Sequence, residues 1–272
     1  MFYDCHSHTN YSVDATIKPE DAVQNAIECG FLGYAFTDHC DLSLDNTIHG
    51  LQRIENCCRE VEVLKEMYKG KIKLFTGLEL ADGFFMPELY RIAHSLHDYD
   101  IILGSVHITV IDNKYIDIAK VDFSDASNED MYRLLDAYID LYKNTVYHGD
   151  YDVFCHLTYP LRYFNGKYNR GIQIDKYTKD IEDIMKICIS KGMAMEINVA
   201  KCTTKNPTYF CPERELVSLY KSLGGKMITI GSDLHVKENK YPYFEEAEKM
   251  LKEHGYDELY YFEKRKPISY KI

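Results

Sequence analysis

The chain has 272 residues, and its 43 acidic and 32 basic side chains give a formal net charge of −11. This acidic balance argues against a nucleic-acid coat and against a basic membrane-binding surface. Hydrophobic residues make up 46% of the chain, an ordinary value for a globular protein that excludes a disordered or collagen-like chain.

The cysteines and the first residues indicate the compartment. The nine cysteines are odd in number and scattered, with no CxxC pair, which fits neither a disulfide framework nor a cysteine zinc site. We interpret them as reduced, mostly apolar packing residues of a cytoplasmic protein. The opening MFYDCHSHTN predicts no signal peptide, and no later run is long and apolar enough to predict a membrane span.

Short apolar runs alternate with helix-like stretches along the chain, and no linker divides it, so one domain over residues 1–272 is expected. The runs predict seven strands: Phe2–Asp4, Gly33–Phe36, Lys71–Gly77, Ile101–Ser105, Asp152–Cys155, Ala194–Asn198 and Met227–Gly231. Apolar spacings of three and four predict seven helices: Pro19–Cys29, Leu51–Tyr68, Pro87–Asp98, Glu129–Tyr147, Asp175–Ser190, Pro212–Leu223 and Phe244–His254. This alternation is typical of a parallel sheet, open or closed.

Every predicted strand brings a polar side chain to the same edge of the sheet. In strand order these residues are His6 and His8, Asp38 and His39, Glu79, His107, His156, Asn198, and Asp233 with His235. In an open sheet the outermost strand ends lie too far apart to share one small site, whereas a closed barrel brings them all to one mouth. The polar residues therefore favour an α/β fold of the TIM-barrel-like (β/α)7 type.

The residue types at these strand ends favour metal binding. Apart from Asp38, six histidines and, counting Asp14, three carboxylates are available. Imidazoles and carboxylates together suit borderline to hard divalent ions such as zinc, manganese or iron. One four-coordinate ion needs fewer donors, so the sequence predicts two or three ions with a bridging carboxylate. A single histidine at a strand end is more often a hydrogen-bonded structural residue, so the prediction depends on the whole set.

The segments DCHSHTNYS, FTDH, GLE, GSVH, CH and GSDLH occur in this order along the chain. Together they resemble the motifs of the polymerase-and-histidinol-phosphatase (PHP) superfamily, from residue 2 to about residue 240. The match is most similar to the stand-alone histidinol-phosphate phosphatase branch. Members of the superfamily are distorted seven-stranded β/α barrels with a trinuclear metal site, and the resemblance implies the same for this chain.

The resemblance also implies which residues hold each metal ion. Three groups of ligands follow from it: His6, His8, Glu79 and Asp233 for the first ion; Glu79 as a bridge, with His107 and His156, for the second; and Asp14, His39 and His235 for the third. Many relatives have histidine where this chain has Asp14. The aspartate shifts the preference of the third group towards manganese or iron rather than zinc.

Other residues are expected to act on the substrate. Arg162, six residues after His156, resembles the arginine that relatives place against the substrate phosphate, and Lys201 is a weaker second candidate. The alternative for Arg162 is an exposed, solubilising side chain. Asp38 is expected to orient His39 or a metal-bound water and is grouped with Glu79 and Asp233 as catalytic.

A metal cluster suits hydrolysis of a phosphate ester, because the cations neutralise the dianion and provide a hydroxide nucleophile. The resemblance implies hydrolysis of L-histidinol phosphate, a small phosphorylated substrate, in histidine biosynthesis. Two alternatives remain open. One is a phosphodiesterase or exonuclease acting on nucleotides or short nucleic acids, against which the net charge of −11 argues. The other is a binding module whose metals only stabilise the barrel.

Overall fold

The structure, a computed structural model, describes residues 1–43, 48–200, 210–237, 241 and 243–272. Its strands are β1 (Tyr3–Asp4), β2 (Gly33–Phe36), β3 (His39–Asp41), β4 (Lys73–Ala81), β5 (Ile101–Ser105), β6 (Ile108–Ile111), β7 (Lys114–Asp117), β8 (Val153–Phe154), β9 (Ala194–Asn198), β10 (Ile228–Gly231), β11 (Glu258–Glu263) and β12 (Lys266–Lys271). Its helices are α1 (Pro19–Glu28), α2 (Ile48–Met67), α3 (Pro87–His94), α4 (Asn128–His148), α5 (Tyr159–Leu161), α6 (Thr178–Ser190), α7 (Arg214–Ser222) and α8 (Phe244–Glu253). A π-helical segment, Arg162–Lys167, continues α5.

Seven parallel strands form the central sheet in the order β1-β2-β4-β5-β8-β9-β10. Backbone hydrogen bonds from Cys5 N to Ile230 O (3.0 Å) and from Asp233 N to His6 O (2.8 Å) connect the last strand to the first. The sheet is therefore a nearly closed barrel, which confirms the predicted fold class. Outward residues such as Leu78 on β4 pack with the surrounding helices in one large hydrophobic core.

The distortion of the barrel lies beside β4. We predicted a third strand over Lys71–Gly77, but β4 continues to Ala81 because it has two partners on one side. Its first part pairs with β2, with Lys73 opposite Gly33, and its second part pairs with β3, with Glu79 opposite His39. Glu79 therefore lies within a strand rather than after one.

Two hairpins were not predicted from the sequence. The β6–β7 hairpin follows β5 directly, and the β11–β12 hairpin ends the chain. Their turns consist of Asp112–Asn113 and Lys264–Arg265, and each of these four residues has a positive φ between 50° and 60°. Such turns are most readily recognised when they contain glycine, and neither does. The short α5 and its π-helical extension were also missed.

The C-terminal hairpin closes the barrel at the end opposite the C-terminal strand ends. Tyr261 and Phe262 pack against inward side chains of the barrel, including Tyr3 and Phe75. The rings of Tyr3 and Tyr261 are stacked, with centroids 4.0 Å apart and planes at 5°. Arg265 in the turn donates a 2.9 Å hydrogen bond to Asp152, which fixes the hairpin to the start of β8. The last residues of the chain thus form the floor of the barrel.

We expect Tyr261→Ala to lower the free energy of unfolding by about 3 kcal/mol, because it removes a buried ring from this floor and leaves a cavity. Denaturant unfolding followed by circular dichroism measures the change. Tyr260→Ala, on the partly exposed face of the same strand, is the matched control and should cost about 1 kcal/mol or less. Equal losses in the two variants would contradict the closure of the barrel by Tyr261.

Candidate metal centre

A cavity of about 690 Å³ opens at the C-terminal ends of the barrel strands. Six of the predicted site residues line it: Asp14, His39, His107, Arg162, Asp233 and His235. The others from the predicted metal-binding set, His6, His8, Glu79 and His156, lie just beneath and are almost completely buried. Side chains from distant parts of the chain therefore meet at one place, as the barrel prediction requires.

Two of these side chains are delivered by strained turns. His156 follows β8 with φ of 27°, and Asp233 follows β10 with φ of 52°. Positive φ is uncommon for residues other than glycine and persists where the surroundings enforce it. Here the backbone N–H of Asp233 donates to His6 O at 2.8 Å, and that of His156 donates to Glu196 Oε2 at 2.8 Å. The turns direct both side chains towards the strand ends.

The six imidazoles face each other in three pairs. Their Nε2 atoms are 3.0 Å apart in His6–His8, 3.3 Å in His39–His235 and 3.4 Å in His107–His156. Two nitrogen ligands of one tetrahedral zinc ion lie about 3.3 Å apart, since each zinc–nitrogen bond is about 2.0–2.1 Å. The spacing within the pairs is therefore close to that of ligands sharing an ion.

Glu79 lies at the centre of the three pairs. Its Oε1 is 2.8 Å from His156 Nε2 and 3.1 Å from His107 Nε2, and its Oε2 is 3.4 Å from His6 Nε2. Oε2 also lies 2.7 Å from His39 Nδ1 without the geometry of a hydrogen bond. Two buried polar atoms that lie this close without forming a hydrogen bond are better explained as two ligands of one cation than as a hydrogen-bond donor and acceptor. The donor set therefore fits divalent ions.

The electrostatics of the cluster favour an ionised carboxylate. Burial alone would raise the pKa of Glu79. The neighbouring His107, His6 and His39 outweigh burial and hold the pKa of this carboxylate well below its usual range. For His39, burial alone would lower the pKa, but the nearby carboxylates of Glu79 and Asp41 outweigh burial and raise that pKa to about 9. For His8, burial and the neighbouring His39 and His235 all lower the pKa, so its imidazole is neutral. The charges of Glu79 and of the imidazoles around it thus stabilise each other, and metal cations would stabilise the carboxylate in the same way.

Asp14 lies at the rim of the cluster. Its Oδ2 is 3.6 Å from His39 Nε2 and 3.5 Å from His235 Nε2, and its side chain is 55% exposed. This placement joins Asp14 to one imidazole pair, which is the pair that the resemblance assigns to it. The group containing Asp14 is the most accessible part of the cluster.

Arg162 lines the cavity beside Asp233. Its Nη1 donates to Asp233 Oδ2 at 3.0 Å, and its Nη2 donates to Asn198 Oδ1. The side chain is only 9% exposed, so the alternative of a solubilising surface arginine does not hold. Lys201, the second predicted phosphate ligand, lies outside the described residues.

Asp38 does not line the cavity. Its carboxylate accepts hydrogen bonds from Thr9 N at 2.7 Å and from Ser12 Oγ at 2.6 Å. Ser12 Oγ in turn accepts from His39 N at 3.0 Å and lies 3.3 Å from His8 Nδ1. Hydrogen bonds through Ser12 therefore connect Asp38 to the backbone of His39 and to the ring of His8.

Two carboxylates of the site were missed from the sequence. Glu196 Oε1 lies 2.6 Å from His6 Nδ1, and Asp41 Oδ1 lies 2.8 Å from His107 Nδ1. Both residues are in strands, β9 and β3. An acidic residue in the middle of the apolar segment AMEIN was the available signal for Glu196. Asp41 gave no comparable signal, because β3 itself was not predicted.

Comparison with known proteins agrees with this geometry. The PHP domain family matches residues 4–200, which is most of the chain. The chain belongs to the PHP family. This PHP chain is 29% identical over 262 residues to the histidinol-phosphatase of Lactococcus lactis, covering 94% of this chain and 92% of the relative. It is 26% identical over 274 residues to a Clostridium acetobutylicum protein named "Probable histidinol-phosphatase", covering 97% and 98%.

A solved structure extends the similarity to the fold. The crystal structure of the Lactococcus lactis histidinol phosphate phosphatase, complexed with zinc, L-histidinol and phosphate, matches this PHP chain with a TM-score of 0.77 and 26% identity, over 98% of both chains. The predicted family and its histidinol-phosphatase branch are thereby confirmed. Among the described residues, no helix has the length and apolar character needed to span a bilayer.

Proposed function

We propose that this PHP chain is a metal-dependent phosphomonoesterase that hydrolyses L-histidinol phosphate to L-histidinol and phosphate, with residues 1–272 acting as one barrel domain. The observation that carries the proposal is the arrangement of three imidazole pairs around Glu79 beneath a cavity that also contains Arg162. The relative that was crystallised with zinc, histidinol and phosphate supports the choice of substrate.

The proposed cofactor is a cluster of three divalent ions, zinc, manganese or iron. We assign the ions to the three groups that the resemblance implies, each of which contains one imidazole pair: His6, His8, Glu79 and Asp233; Glu79, His107 and His156; and Asp14, His39 and His235. When bound, such ions neutralise a phosphate dianion, lower the pKa of water and align nucleophile and leaving group. The exposed Asp14 makes the third group the one most easily emptied.

The protein itself binds and orients the ester. Asp233 and Asn198 hold the Arg162 guanidinium at the cavity wall, where its planar fork suits two phosphate oxygens. Tyr159 and Tyr163 flank it, with their hydroxyls 2.9 Å apart, and the Tyr159 ring packs 5.0 Å from that of His156. Both tyrosines line the same cavity as Arg162 and Asp14.

The decisive experiment compares kcat/KM for histidinol phosphate, p-nitrophenyl phosphate and a dinucleotide, each with manganese, zinc or no added metal. We expect histidinol phosphate to be preferred by at least about tenfold, equivalent to about 1.4 kcal/mol at the transition state. Preference for the dinucleotide would favour the phosphodiesterase alternative. Absence of turnover in every condition would favour a binding module.

We expect Arg162→Ala to raise KM for histidinol phosphate about 10–100-fold, because a charged, bidentate hydrogen bond contributes about 1.5–3 kcal/mol. Metal content should stay at the wild-type level, since Asn198 Nδ2 still donates to Asp233 Oδ2 at 3.2 Å. Steady-state kinetics and elemental analysis measure the two quantities. Arg133→Ala, which removes an exposed pair with Asp112, is the control. Unchanged kinetics in Arg162→Ala would remove the phosphate-binding assignment.

The proposed location is the cytoplasm. Eight cysteines lie within the described residues, and seven of them are buried. Scattered cysteines without the spacing of a disulfide framework are typical of proteins in reducing compartments.

A further inference from the structure

Glu196 is a buried carboxylate directly beneath the proposed metal ligands. It lies on β9 between Ala194 and Asn198, and because side chains alternate along a strand, all three face the barrel interior. Glu196 is 1% exposed. Its Oε1 is 2.6 Å from His6 Nδ1, and its Oε2 accepts from His156 N at 2.8 Å and from Asn198 Nδ2 at 3.3 Å. One carboxylate thus contacts two of the predicted ligands.

The contact with His6 determines which nitrogen of that ring can bind an ion. His6 Nε2 faces the cluster, 3.0 Å from His8 Nε2 and 3.4 Å from Glu79 Oε2. Nδ1 is on the other edge of the ring and faces Glu196. An imidazole that binds metal through Nε2 keeps its proton on Nδ1 and donates it, commonly to a carboxylate. Glu196 is placed to accept that proton and to fix the ring orientation.

The contact with His156 acts on the backbone. His156 has φ of 27°, a strained conformation that turns its ring to within 2.8 Å of Glu79 Oε1. The N–H of this strained residue donates to Glu196 Oε2. Glu196 therefore supports the turn that delivers His156 as well as the ring of His6. The two histidines belong to different imidazole pairs and follow strands β1 and β8, respectively.

Close packing keeps the carboxylate in place. Gly231 on β10 lies against it, and a Cβ atom at that position would be 2.3 Å from Glu196 Oε1 and 2.4 Å from His6 Cβ. The absence of a side chain at Gly231 thus provides the space that the carboxylate and the ring occupy. Glu196 has no room to move towards β10.

We propose that Glu196 is a positioning residue that holds His6 and His156 in the orientation needed to bind metal. The inference rests on the proposed metal-dependent function and adds a residue to it. In this proposal Glu196 acts through the two histidines, since its contact with His6 is through Nδ1, on the edge of the ring away from His8 and Glu79.

The test measures metal affinity and stoichiometry as well as turnover. Wild-type protein, Glu196→Gln and Glu196→Asp are stripped of metal and titrated with zinc or manganese against a chromogenic chelator. We expect Glu196→Gln to weaken binding about 10–100-fold while reaching the wild-type number of ions at saturation. At saturating metal, kcat should fall and KM for the phosphate ester should stay unchanged. Glu196→Asp keeps the charge on a shorter side chain, so its affinity should be intermediate.

Asp152→Asn is the matched control, since Asp152 is a buried carboxylate at the other end of the barrel that accepts from Ile102 N at 2.8 Å. This variant should unfold at a lower temperature with unchanged metal affinity. Wild-type affinity in Glu196→Gln would overturn the proposal. Loss of one whole ion at saturation would also overturn it, by making Glu196 a ligand. If the wild-type protein binds metal but does not hydrolyse histidinol phosphate, the proposed substrate fails while the affinity comparison still tests Glu196.

Discussion

Glu79→Gln is expected to lower kcat/KM for histidinol phosphate by about 10³-fold or more, the equivalent of about 4 kcal/mol at the transition state. The carboxylate reaches His6, His39, His107 and His156 through its two oxygens, so the amide alters every imidazole pair at once. An amide nitrogen cannot bind a cation, and the variant retains no bridging charge. Steady-state kinetics and elemental analysis should show loss of activity together with loss of metal.

Glu62→Gln is the control for this substitution. Thr76 lies on β4, three residues before Glu79, and donates a 2.7 Å hydrogen bond to Glu62. Glu62 itself lies on α2, outside the barrel. Its replacement should leave metal content and kcat/KM within about twofold of the wild type. Near-normal activity in Glu79→Gln would refute the bridging role.

Removal of divalent ions is expected to abolish turnover and to lower Tm by roughly 10 °C. An ion present at a thousandfold excess over its Kd stabilises the folded state by about 4 kcal/mol, and about 1 kcal/mol shifts Tm by about 2–4 °C in a chain of this size. The metal-free protein also keeps a buried carboxylate among buried imidazoles. Differential scanning calorimetry before and after chelation, with metal content measured in parallel, gives the shift.

Returning manganese, zinc or iron separately should restore both Tm and turnover, and Glu79→Gln should show a much smaller shift on chelation. This variant is the matched control because its polar cluster is altered while the rest of the barrel is unchanged. A protein shown to be metal-free that still hydrolysed the ester at the wild-type rate would exclude the metal-dependent mechanism.

The positions of the proposed metal ligands could be predicted from the sequence where local patterns determine them. His6 and His8 are two residues apart in an extended segment and therefore lie on one side of it. His107, His156 and Asp233 directly follow apolar runs, and parallel strands bring such positions to one mouth. Glu79 was predicted to follow its strand, whereas the structure has it within β4, beside the histidines. Its segment GLELA alternates apolar and polar residues, and the extent of β4 depends on pairing with β3, which no local pattern indicates.

The supporting residues depend on contacts that sequence spacing does not reveal. Glu196 and His6 are 190 positions apart, and their contact exists only because the barrel places β9 near β1. The role of an acidic residue in a buried strand can be assigned only when the partner that compensates its burial is known. The C-terminal hairpin is a similar case, since packing under the barrel stabilises a turn of Lys264 and Arg265 that has no strong local preference for that conformation.

The floor of the barrel has a consequence for synthesis of the protein. Tyr261 and Phe262 cover Tyr3 and Phe75, and they are translated after all seven strands of the barrel. A nascent chain therefore carries an open, water-accessible barrel interior until β11 and β12 have left the ribosome. Premature termination before residue 258 would leave that apolar surface uncovered, and such fragments would be prone to aggregation and to degradation.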